Sequence, residues 1–302
     1  MELISLEEQV NYGPDFICIG AQKSCTSWLH WNLVFHPETS MPPEKEINYF
    51  CCEPPQWQER YNRLMKARKN EIPITEIFPF ESFPFTWYED FLFTPHTAEN
   101  YFKLFPKPQG KISGDLSPSY CLLQTQYIEA LSKELPNVKI IYLLRNPVDR
   151  AWSQFKMMNQ DFLLTHPDAS EIIHFIENEG CLDYSKYTSI LNTWEAYFPG
   201  RVKVWFYDQI CKNPEKVFME ICKYLNISKN IDFEHNKIKD KVFKGPSNPM
   251  PIGIRRYLNT QLHDELISLH KHFKNVYTKC WLNENTSKLL EIYSWLYYKI
   301  KN

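Results

Sequence analysis

The stretch that most constrains the fold of this chain is residues 15–34, which predicts a strand, a tight polar loop and a helix. Residues 15–20 are rich in Ile, Phe and Cys, as a short buried strand should be. The loop of residues 20–27 is small and polar and carries one lysine, Lys23. A helix with an apolar side follows, and Pro37 closes it. This order places a loop and a helix N-terminus at the end of a strand.

A loop that enters a helix N-terminus presents unpaired backbone N–H groups and the positive end of the helix dipole, which together form an anion site. Lys23 adds a positive charge, and Ser24, Thr26 and Ser27 add hydroxyl donors. Lys23 comes three residues after Gly20, so the spacing differs from that of a nucleoside triphosphate P-loop. We predict a phosphate or sulfate loop of a different design. The alternative is a strand-turn-helix with an incidental surface lysine.

A second anchor begins at residues 138–144, which are nearly continuous apolar residues, as expected of a central parallel strand. Residues 146–147, Asn-Pro, then predict a helix start with its N-cap and first residue. Arg145 and Ser153 are predicted to face one crevice, where a guanidinium and a hydroxyl suit a phosphate monoester. The alternative is that Arg145 pairs with Asp149 and ties the loop down.

Strands alternate with helices along the chain, which predicts an α/β fold with a central parallel β-sheet flanked by helices. We expect a single domain over residues 1–302. Further strands are predicted at residues 111–115 and 202–207. Helices are predicted at residues 57–69, 88–105, 121–135, 171–179, 184–198 and 214–225, with C-terminal helices over residues 256–302.

Three polar stretches are candidates for the chemistry. Residues 44–46, Glu-Lys-Glu, offer a carboxylate as a general base, although such charge runs usually form a solvated face. Asp115, Ser117 and Ser119 fall where a strand end meets a helix start, the usual ligand edge of an α/β sheet. Residues 244–245, Lys-Gly, lie in a Pro-rich stretch that either closes over a bound anion or forms an ordinary surface loop.

The segment 51–110 is dense in Pro and aromatic residues, and its prolines exclude a long helix or a central strand. One interpretation is an acceptor-side segment whose rings stack on a substrate. The other is a loop that buries its rings against the body of the protein, which is the commoner arrangement.

The formal net charge of −2 provides no overall field that would attract nucleic acid, so an anion site must be a local concentration of positive charge. Nine cysteines show no CxxC pair and no zinc-ligand spacing, so we expect reduced thiols, no metal and a cytoplasmic protein. The N-terminus lacks the features of a signal peptide and no apolar run could span a bilayer, so we expect no stable membrane insertion.

The two most specific motifs are residues 20–29, GAQKSCTSWL, and residues 145–155, RNPVDRAWSQF. They resemble the GxxKxGTxxL and RNPxxRAxSxF/Y motifs of sulfotransferases that depend on 3′-phosphoadenosine-5′-phosphosulfate (PAPS), especially the heparan sulfate sulfotransferase branch and its soluble bacterial relatives. Softer matches are residues 45–50 to the acidic catalytic segment, residues 114–120 to the central strand-turn, and residues 244–245 to the cofactor-covering loop. The matches follow the family order through most of the chain.

The resemblance implies the P-loop-like sulfotransferase fold and transfer of a sulfuryl group from PAPS to an acceptor hydroxyl, with adenosine 3′,5′-bisphosphate as product and no metal. It implies that Lys23 contacts the transferring group and that Glu46 is the general base. It implies further that Arg145 and Ser153 hold the 3′-phosphate. The other implied cofactor-binding positions are Gln22, Ser24, Cys25, Thr26, Ser27, Tyr207, Lys244 and Gly245. The acceptor could be a glycan, a glycolipid or a small alcohol or phenol.

Two positions depart from the family pattern. Cys25 stands where the loop motif has glycine, which costs about 1 kcal/mol if the backbone needs a positive φ. Pro246 follows residues 244–245 where the branch often has arginine. Two other functions stay open: a small-molecule kinase, which would need Mg²⁺ and a Walker-type lysine, and a non-catalytic homologue, which would lack Lys23 or Glu46.

Overall fold

The computed structural model describes residues 12–51, 62, 66, 69, 85–159, 168–229, 238 and 248–286. Most of the predicted helix 57–69 lies outside the described residues, as does the Pro-rich stretch 73–84. Lys244 and Gly245, the predicted cofactor-covering residues, also lie outside them.

The sheet of the described structure has four parallel strands: β1 (Phe16–Gly20), β2 (Gly114–Leu116), β3 (Lys139–Leu144) and β4 (Val202–Phe206). Their order across the sheet is β2-β1-β3-β4, and each neighbouring pair is parallel. The chain runs from β1 to β2 on one side and then crosses to β3 on the other side of β1. The crevice at the carboxyl ends of β1 and β3 is therefore a topological switch point, where sheets of this kind bind ligands.

Helices cover both faces of the sheet. Their bounds are α1 (Thr26–Val34), α2 (Phe85–Phe93), α3 (Ala98–Lys103), α4 (Thr125–Glu134), α5 (Pro147–Met158), α6 (Ala169–Asn178), α7 (Tyr187–Tyr197), α8 (Tyr207–Lys212), α9 (Pro214–Leu225), α10 (Ile252–Gln261), α11 (His263–Phe273) and α12 (Val276–Thr286). Two 3₁₀ turns lie at Pro118–Leu122 and Asp183–Ser185.

The sheet divides the core into two layers because successive strand residues point to opposite faces. Ile17, Ile140 and Tyr142 lie in the larger layer with side chains of α3, α4, α5 and α7. Phe16 and Ile141 lie in the other layer with side chains of α1 and α9. All five residues are fully buried, which explains why β1 and β3 are apolar throughout.

Gly114 at the start of β2 is required by this packing. A Cβ there would lie 2.2 Å from the ring of Phe16, which is closer than any real contact. The two neighbouring strands can therefore hold their register at this point only with a glycine.

The structure confirms the strand predicted at residues 138–144, which is β3, and the helix predicted at 214–225, which is α9. It also confirms the strand-loop-helix at residues 15–34. In each case the local pattern and the tertiary environment agree, because these segments are buried as their apolar residues require.

Several predicted boundaries are wrong. The helix predicted at 88–105 is two helices, α2 and α3, because Pro95 in the intervening residues has no N–H for a helical bond. The helix predicted from residue 121 begins at Thr125, after a 3₁₀ turn. The strand predicted to end at Tyr207 ends one residue earlier, and Tyr207 begins α8. The C-terminal helices begin at Ile252 rather than at residue 256.

Candidate active site

The chain turns sharply between β1 and α1. Gly20 has a φ of 131°, and a Cβ there would lie 3.0 Å from the carbonyl oxygen of Pro118, so the position suits glycine alone. Lys23 and Cys25 have φ values of 69° and 71°, in the left-handed region. Cys25 thus takes the backbone conformation for which the family motif has glycine, at a cost of about 1 kcal/mol.

The N-terminus of α1 points its backbone amides at the end of the loop. The first bond of the helical ladder runs from the N–H of Leu29 to the carbonyl of Cys25, at 3.1 Å. The amides of Thr26, Ser27 and Trp28 precede that bond, and such amides are the donors that an anion uses at a helix N-terminus.

Two buried polar atoms of the loop have no hydrogen-bond partner in the described structure: the hydroxyl oxygen of Ser24 and Oε1 of Gln22. Ser24 is fully buried, and its N–H donates to the carbonyl of Ala21 at 3.2 Å. Because buried polar groups in proteins are normally paired, an unpartnered hydroxyl in a loop of this shape fits a site that accepts an oxygen-rich anion.

The side chain of Arg145 joins the ends of three strands. It follows β3, and its Nη1 donates to the carbonyl of Lys23 after β1, at 3.2 Å. Its guanidinium carbon lies 4.6 Å from the centroid of the Tyr207 ring, which follows β4. The alternative of an Arg145–Asp149 pair is not what the structure shows, since Asp149 accepts from Nη2 of Arg255 at 3.1 Å.

The second arginine of the RNPxxRAxSxF/Y motif has a different position. Arg150 is fully buried, and its Nε donates to Ser185 Oγ at 2.7 Å. Its Nη1 donates to Gln154 Oε1 at 2.8 Å, and its Nη2 donates to the carbonyl of Cys181. These bonds tie α5 to the turn at residues 181–185, so Arg150 supports the fold while Arg145 faces the crevice.

Three other cations lie close enough to Lys23 to influence its charge. Burial lowers the pKa of Lys23, and the positive charge of Arg145 lowers it further, with smaller effects from Lys45 and Lys156. Burial and Arg145 lower the pKa of Lys156 as well. Repulsion of this kind is relieved when an anion binds between the cations.

Sequence reasoning missed Lys156, which is one helical turn beyond Ser153 on α5. The signal was present in the spacing, because Asp149, Ser153 and Lys156 share one face of that helix. Ser153 is half-buried on this face. Lys156 is therefore a further candidate for the part of the crevice that Arg145 borders.

Residues 44–46 do not form a solvated face, because all three side chains are half-buried. The side chain of Lys45 is 18% exposed and that of Glu46 is 40% exposed, and Lys45 Nζ donates to Glu46 Oε1. The charge of Glu46 favours the protonated form of Lys23, so this carboxylate lies near the loop. Glu46 and Lys23 are thus near enough to interact electrostatically.

The candidates Asp115, Ser117 and Ser119 lie at the carboxyl end of β2, next to the segment that carries Glu46. Asp115 and Ser117 are fully buried, and Ser117 accepts from the N–H of Asn48 at 2.9 Å. Their contacts are with protein, so they support the segment that carries Glu46.

The described part of the aromatic segment buries its rings. Trp87, Phe91 and Tyr101 lie in the core, and Trp87 Nε1 donates to the carbonyl of Leu104 at 2.9 Å. Over residues 85–110 the structure therefore favours the interpretation in which the rings hold the segment against the body of the protein. Among the described helices, none combines the length and the apolar character needed to cross a membrane.

A sequence model described as "Sulfotransferase family" matches residues 14–230 of the chain. Bifunctional heparan sulfate N-deacetylase/N-sulfotransferase 2 of Mus musculus is 24% identical over 260 residues, which cover 78% of this chain and 25% of that protein. Bifunctional heparan sulfate N-deacetylase/N-sulfotransferase 3 of Homo sapiens is 23% identical over 329 residues, which cover 95% of this chain and 33% of that protein. The chain spans about a quarter to a third of the length of these relatives.

The crystal structure of a sulfotransferase from Alicyclobacillus acidocaldarius has a similar fold, with a TM-score of 0.59 at 21% sequence identity. The superposition covers 89% of this chain and 98% of that one. The central parallel sheet flanked by helices is thus the P-loop-like fold of the sulfotransferases. Because the family model matches most of the chain and both sequence motifs fall within the match, this chain belongs to the sulfotransferase family.

Proposed function

We propose that this protein transfers a sulfuryl group from PAPS to the hydroxyl group of an acceptor. The observation that carries the proposal is the anion loop at the switch point of the sheet, where the unpartnered hydroxyl of Ser24 and the start of α1 meet Arg145, which is bonded to the carbonyl of Lys23. The charges of Arg145, Lys45 and Lys156 each lower the pKa of Lys23, and a ligand with several negative charges relieves that repulsion.

The residues present fit PAPS at both of its anionic ends. The unpartnered hydroxyl of Ser24, the amides at the start of α1 and the hydroxyls of Thr26 and Ser27 would hold the 5′-phosphosulfate. Arg145 and Ser153 would hold the 3′-phosphate, and the ring of Tyr207 supports the guanidinium of Arg145.

The remaining assigned positions are Gln22 and Cys25 in the loop and Lys244 and Gly245 as a cover. Gln22 offers a buried oxygen without a partner, and Cys25 holds the left-handed backbone that starts α1. The assignment of Lys244 and Gly245 to the cofactor site rests on the family resemblance alone.

When bound, PAPS supplies the sulfuryl group and a phosphate leaving group. The ammonium group of Lys23 and the amides of α1 would stabilise the negative charge that develops on the leaving group. The carboxylate of Glu46 accepts the proton of the acceptor hydroxyl, and Lys45 holds that carboxylate in place through its ion pair. Lys23 would then act on the donor and Glu46 on the acceptor of the same reaction.

A second candidate acceptor is an amine, because the relatives are named N-sulfotransferases. A carboxylate base serves an amine as well as a hydroxyl. The acceptor therefore has to be found by screening amino and hydroxyl compounds side by side, with radioactive sulfate transfer as the readout.

The test of the donor is calorimetric binding of adenosine 3′,5′-bisphosphate without metal, beside ATP with Mg²⁺. We expect binding of the bisphosphate and none of ATP–Mg²⁺. Binding of ATP–Mg²⁺ alone would contradict the proposal and favour a kinase. Binding of the bisphosphate without transfer to any acceptor would favour a non-catalytic homologue.

A matched pair of variants tests whether Lys23 is needed for transfer. Lys23→Ala removes the lysine of the loop, and Lys203→Ala removes an exposed lysine of β4. We expect the first to abolish most transfer and the second to leave it unchanged. Equal activity of the two variants would remove Lys23 from the reaction.

A further inference from the structure

The carboxylate of Asp115 on β2 is fully buried and is surrounded by hydroxyl groups. Ser117 Oγ donates to its Oδ1 at 2.6 Å, and Tyr101 OH donates to its Oδ2 at 3.0 Å. The hydroxyl of Tyr120 also lies near enough to this carboxyl to lower its pKa. An ionised carboxylate is an acceptor only, so it fixes the direction of each hydroxyl hydrogen that points at it.

Two of these hydroxyls also accept hydrogen bonds from the backbone of the segment that carries Glu46. Ser117 Oγ accepts from the N–H of Asn48 at 2.9 Å, and Tyr120 OH accepts from the N–H of Tyr49 at 2.9 Å. A hydroxyl has one hydrogen and two lone pairs. Because the hydrogen of Ser117 is directed to Asp115, the lone pairs of this hydroxyl are left to receive the Asn48 amide.

The segment needs anchors of this kind because its backbone is strained. Glu46 and Asn48 have φ values of 61° and 52°, in the left-handed region that L-residues with a Cβ disfavour. Such conformations persist when surrounding contacts hold them, and they cluster at functional sites. The N–H of Glu46 adds one further anchor, donating to the carbonyl of Leu116 at 3.1 Å.

We propose that Asp115, acting through the hydroxyls of Ser117 and Tyr120, is the positioning residue that holds Glu46 in its catalytic orientation. The proposal rests on the proposed function, in which Glu46 takes the proton of the acceptor. Asp115 touches neither donor nor acceptor in this scheme. It acts through two hydroxyls and two backbone amides on a carboxylate that is half-exposed at the crevice.

The charge state of Asp115 is consistent with this role. Burial raises the pKa of its carboxyl to about 6, and the bonds from Ser117, Tyr101 and Tyr120 oppose that rise. The group is therefore ionised at neutral pH. The position keeps a charge out of water where a neutral side chain would be easier to bury, which points to a use for the charge.

The lead test is Ser117→Ala, which breaks the link to Asn48 and leaves the charge of Asp115 in place. Keeping the charge matters because Asp115 and Glu46 are near enough to interact electrostatically. The matched control is Ser113→Ala. Ser113 is also a fully buried serine beside β2, but its hydroxyl donates to the carbonyl of Ser40, away from the Glu46 segment.

We expect Ser117→Ala to lower kcat by about ten- to a hundredfold, because a small displacement of a catalytic group has an effect of this size. Affinity for adenosine 3′,5′-bisphosphate should stay within about twofold, because the anion loop is not part of the network. Hydrogen exchange of the amides in residues 46–49 should become faster. The Ser113→Ala control should show neither the loss of kcat nor the faster exchange. An unchanged kcat with unchanged exchange in residues 46–49 of the Ser117→Ala protein would overturn the proposal.

A second pair of variants shows whether the effect passes through Glu46. In a Glu46→Gln background, adding Ser117→Ala should lower kcat no further, since the group that it positions is gone. A full additional loss in the double variant would overturn the positioning role. Tyr120→Phe removes the hydroxyl that accepts from the Tyr49 amide and should make exchange of that amide faster. This variant replaces Ser117→Ala if the Ser117→Ala protein does not fold.

The two hypotheses fail in different ways. Full activity of Glu46→Gln would contradict the role of Glu46 as base and with it the positioning role, although sulfuryl transfer itself would stand. Absence of transfer by the unsubstituted protein, by contrast, would contradict the proposed function. Loss of activity in Glu46→Gln with normal kcat in both Ser117→Ala and Tyr120→Phe would contradict only the positioning role.

Discussion

Replacing Arg145 with alanine should weaken binding of adenosine 3′,5′-bisphosphate far more than binding of adenosine 5′-monophosphate. Arg145 is half-buried at the end of β3, with its guanidinium directed at the crevice. Its two described contacts are the carbonyl of Lys23 at 3.2 Å and the ring of Tyr207 at 4.6 Å. Since these use only part of the guanidinium fork, donors are left for the 3′-phosphate, which the monophosphate lacks.

The size of the effect follows from the contacts. A hydrogen bond to a charged group contributes about 1.5–3 kcal/mol, which corresponds to about a ten- to hundredfold change in Kd for the bisphosphate. The bond to the Lys23 carbonyl orders the loop for both ligands, so the monophosphate should lose only about threefold. Tyr207→Ala removes the ring beneath the guanidinium and should cost about 0.5–1 kcal/mol, or about two- to fivefold.

The assay is isothermal calorimetry with both nucleotides, and the quantity compared is the ratio of their Kd values. Arg201→Ala is the matched control, because Arg201 precedes β4 at the opposite edge of the sheet, where it donates to the carbonyl of Asn137 at 3.0 Å. It removes the same charge and should leave the ratio unchanged. Equal weakening of the two nucleotides by Arg145→Ala would refute the reasoning and reduce Arg145 to a support of the loop.

Three further predictions follow from the described contacts. Lys23→Ala should lower kcat by about 10²–10³-fold while changing nucleotide affinity much less, as single-turnover and calorimetric measurements would show; equal losses in both would make Lys23 a binding residue only. Gly114→Ala should lower the free energy of unfolding by about 1–3 kcal/mol in denaturant titration, because its Cβ would meet the Phe16 ring at 2.2 Å, whereas Gly253→Ala, with nothing within 4 Å, should not. Burial raises the pKa of Asp115 to about 6 from its ordinary value of 3.8. The protonated carboxyl therefore stabilises the folded state fully below pH 4, and this stabilisation is lost as the pH rises to 6. The free energy of unfolding relative to Asp115→Asn should fall by about 3 kcal/mol across this window. A difference between the two proteins that does not change with pH would contradict the raised pKa.

Much of the fold could be predicted from the sequence where the local pattern and the final environment coincide. The run of apolar residues at 138–144 is a central strand, and residues 146–147 cap the helix that follows, with Asn146 Oδ1 accepting from the N–H of Val148 at 3.1 Å. The predicted helix boundaries were wrong where one residue interrupted the apolar pattern, as Pro95 does between α2 and α3. Such a break depends on one missing backbone N–H group, which the spacing of apolar residues does not reveal.

The candidate site likewise has features with local sequence signatures and features that depend on tertiary contacts. Sequence alone indicated an anion loop at Lys23 and a cation at Arg145, because a lysine before a helix N-terminus and an arginine after a strand have local signatures. The roles of Lys23, Glu46, Arg145 and Ser153 toward PAPS stay predictions. The motif placed Arg145 at the strand end, but the buried contacts of Arg150, five residues later, could be seen only in the structure.

By itself, then, the sequence determined the strand-loop-helix, the second motif and the family, since each is written in residues that are neighbours along the chain. Only the tertiary structure decided which strands lie side by side, and that order brings Lys23, Arg145 and Tyr207 together from the ends of β1, β3 and β4. It likewise brought Asp115 close to Asn48, which lies 67 residues earlier in the sequence, with the hydroxyl of Ser117 hydrogen-bonded to both. Charge repulsion, burial and hydrogen-bond direction all depend on distance in space, and sequence separation does not fix that distance.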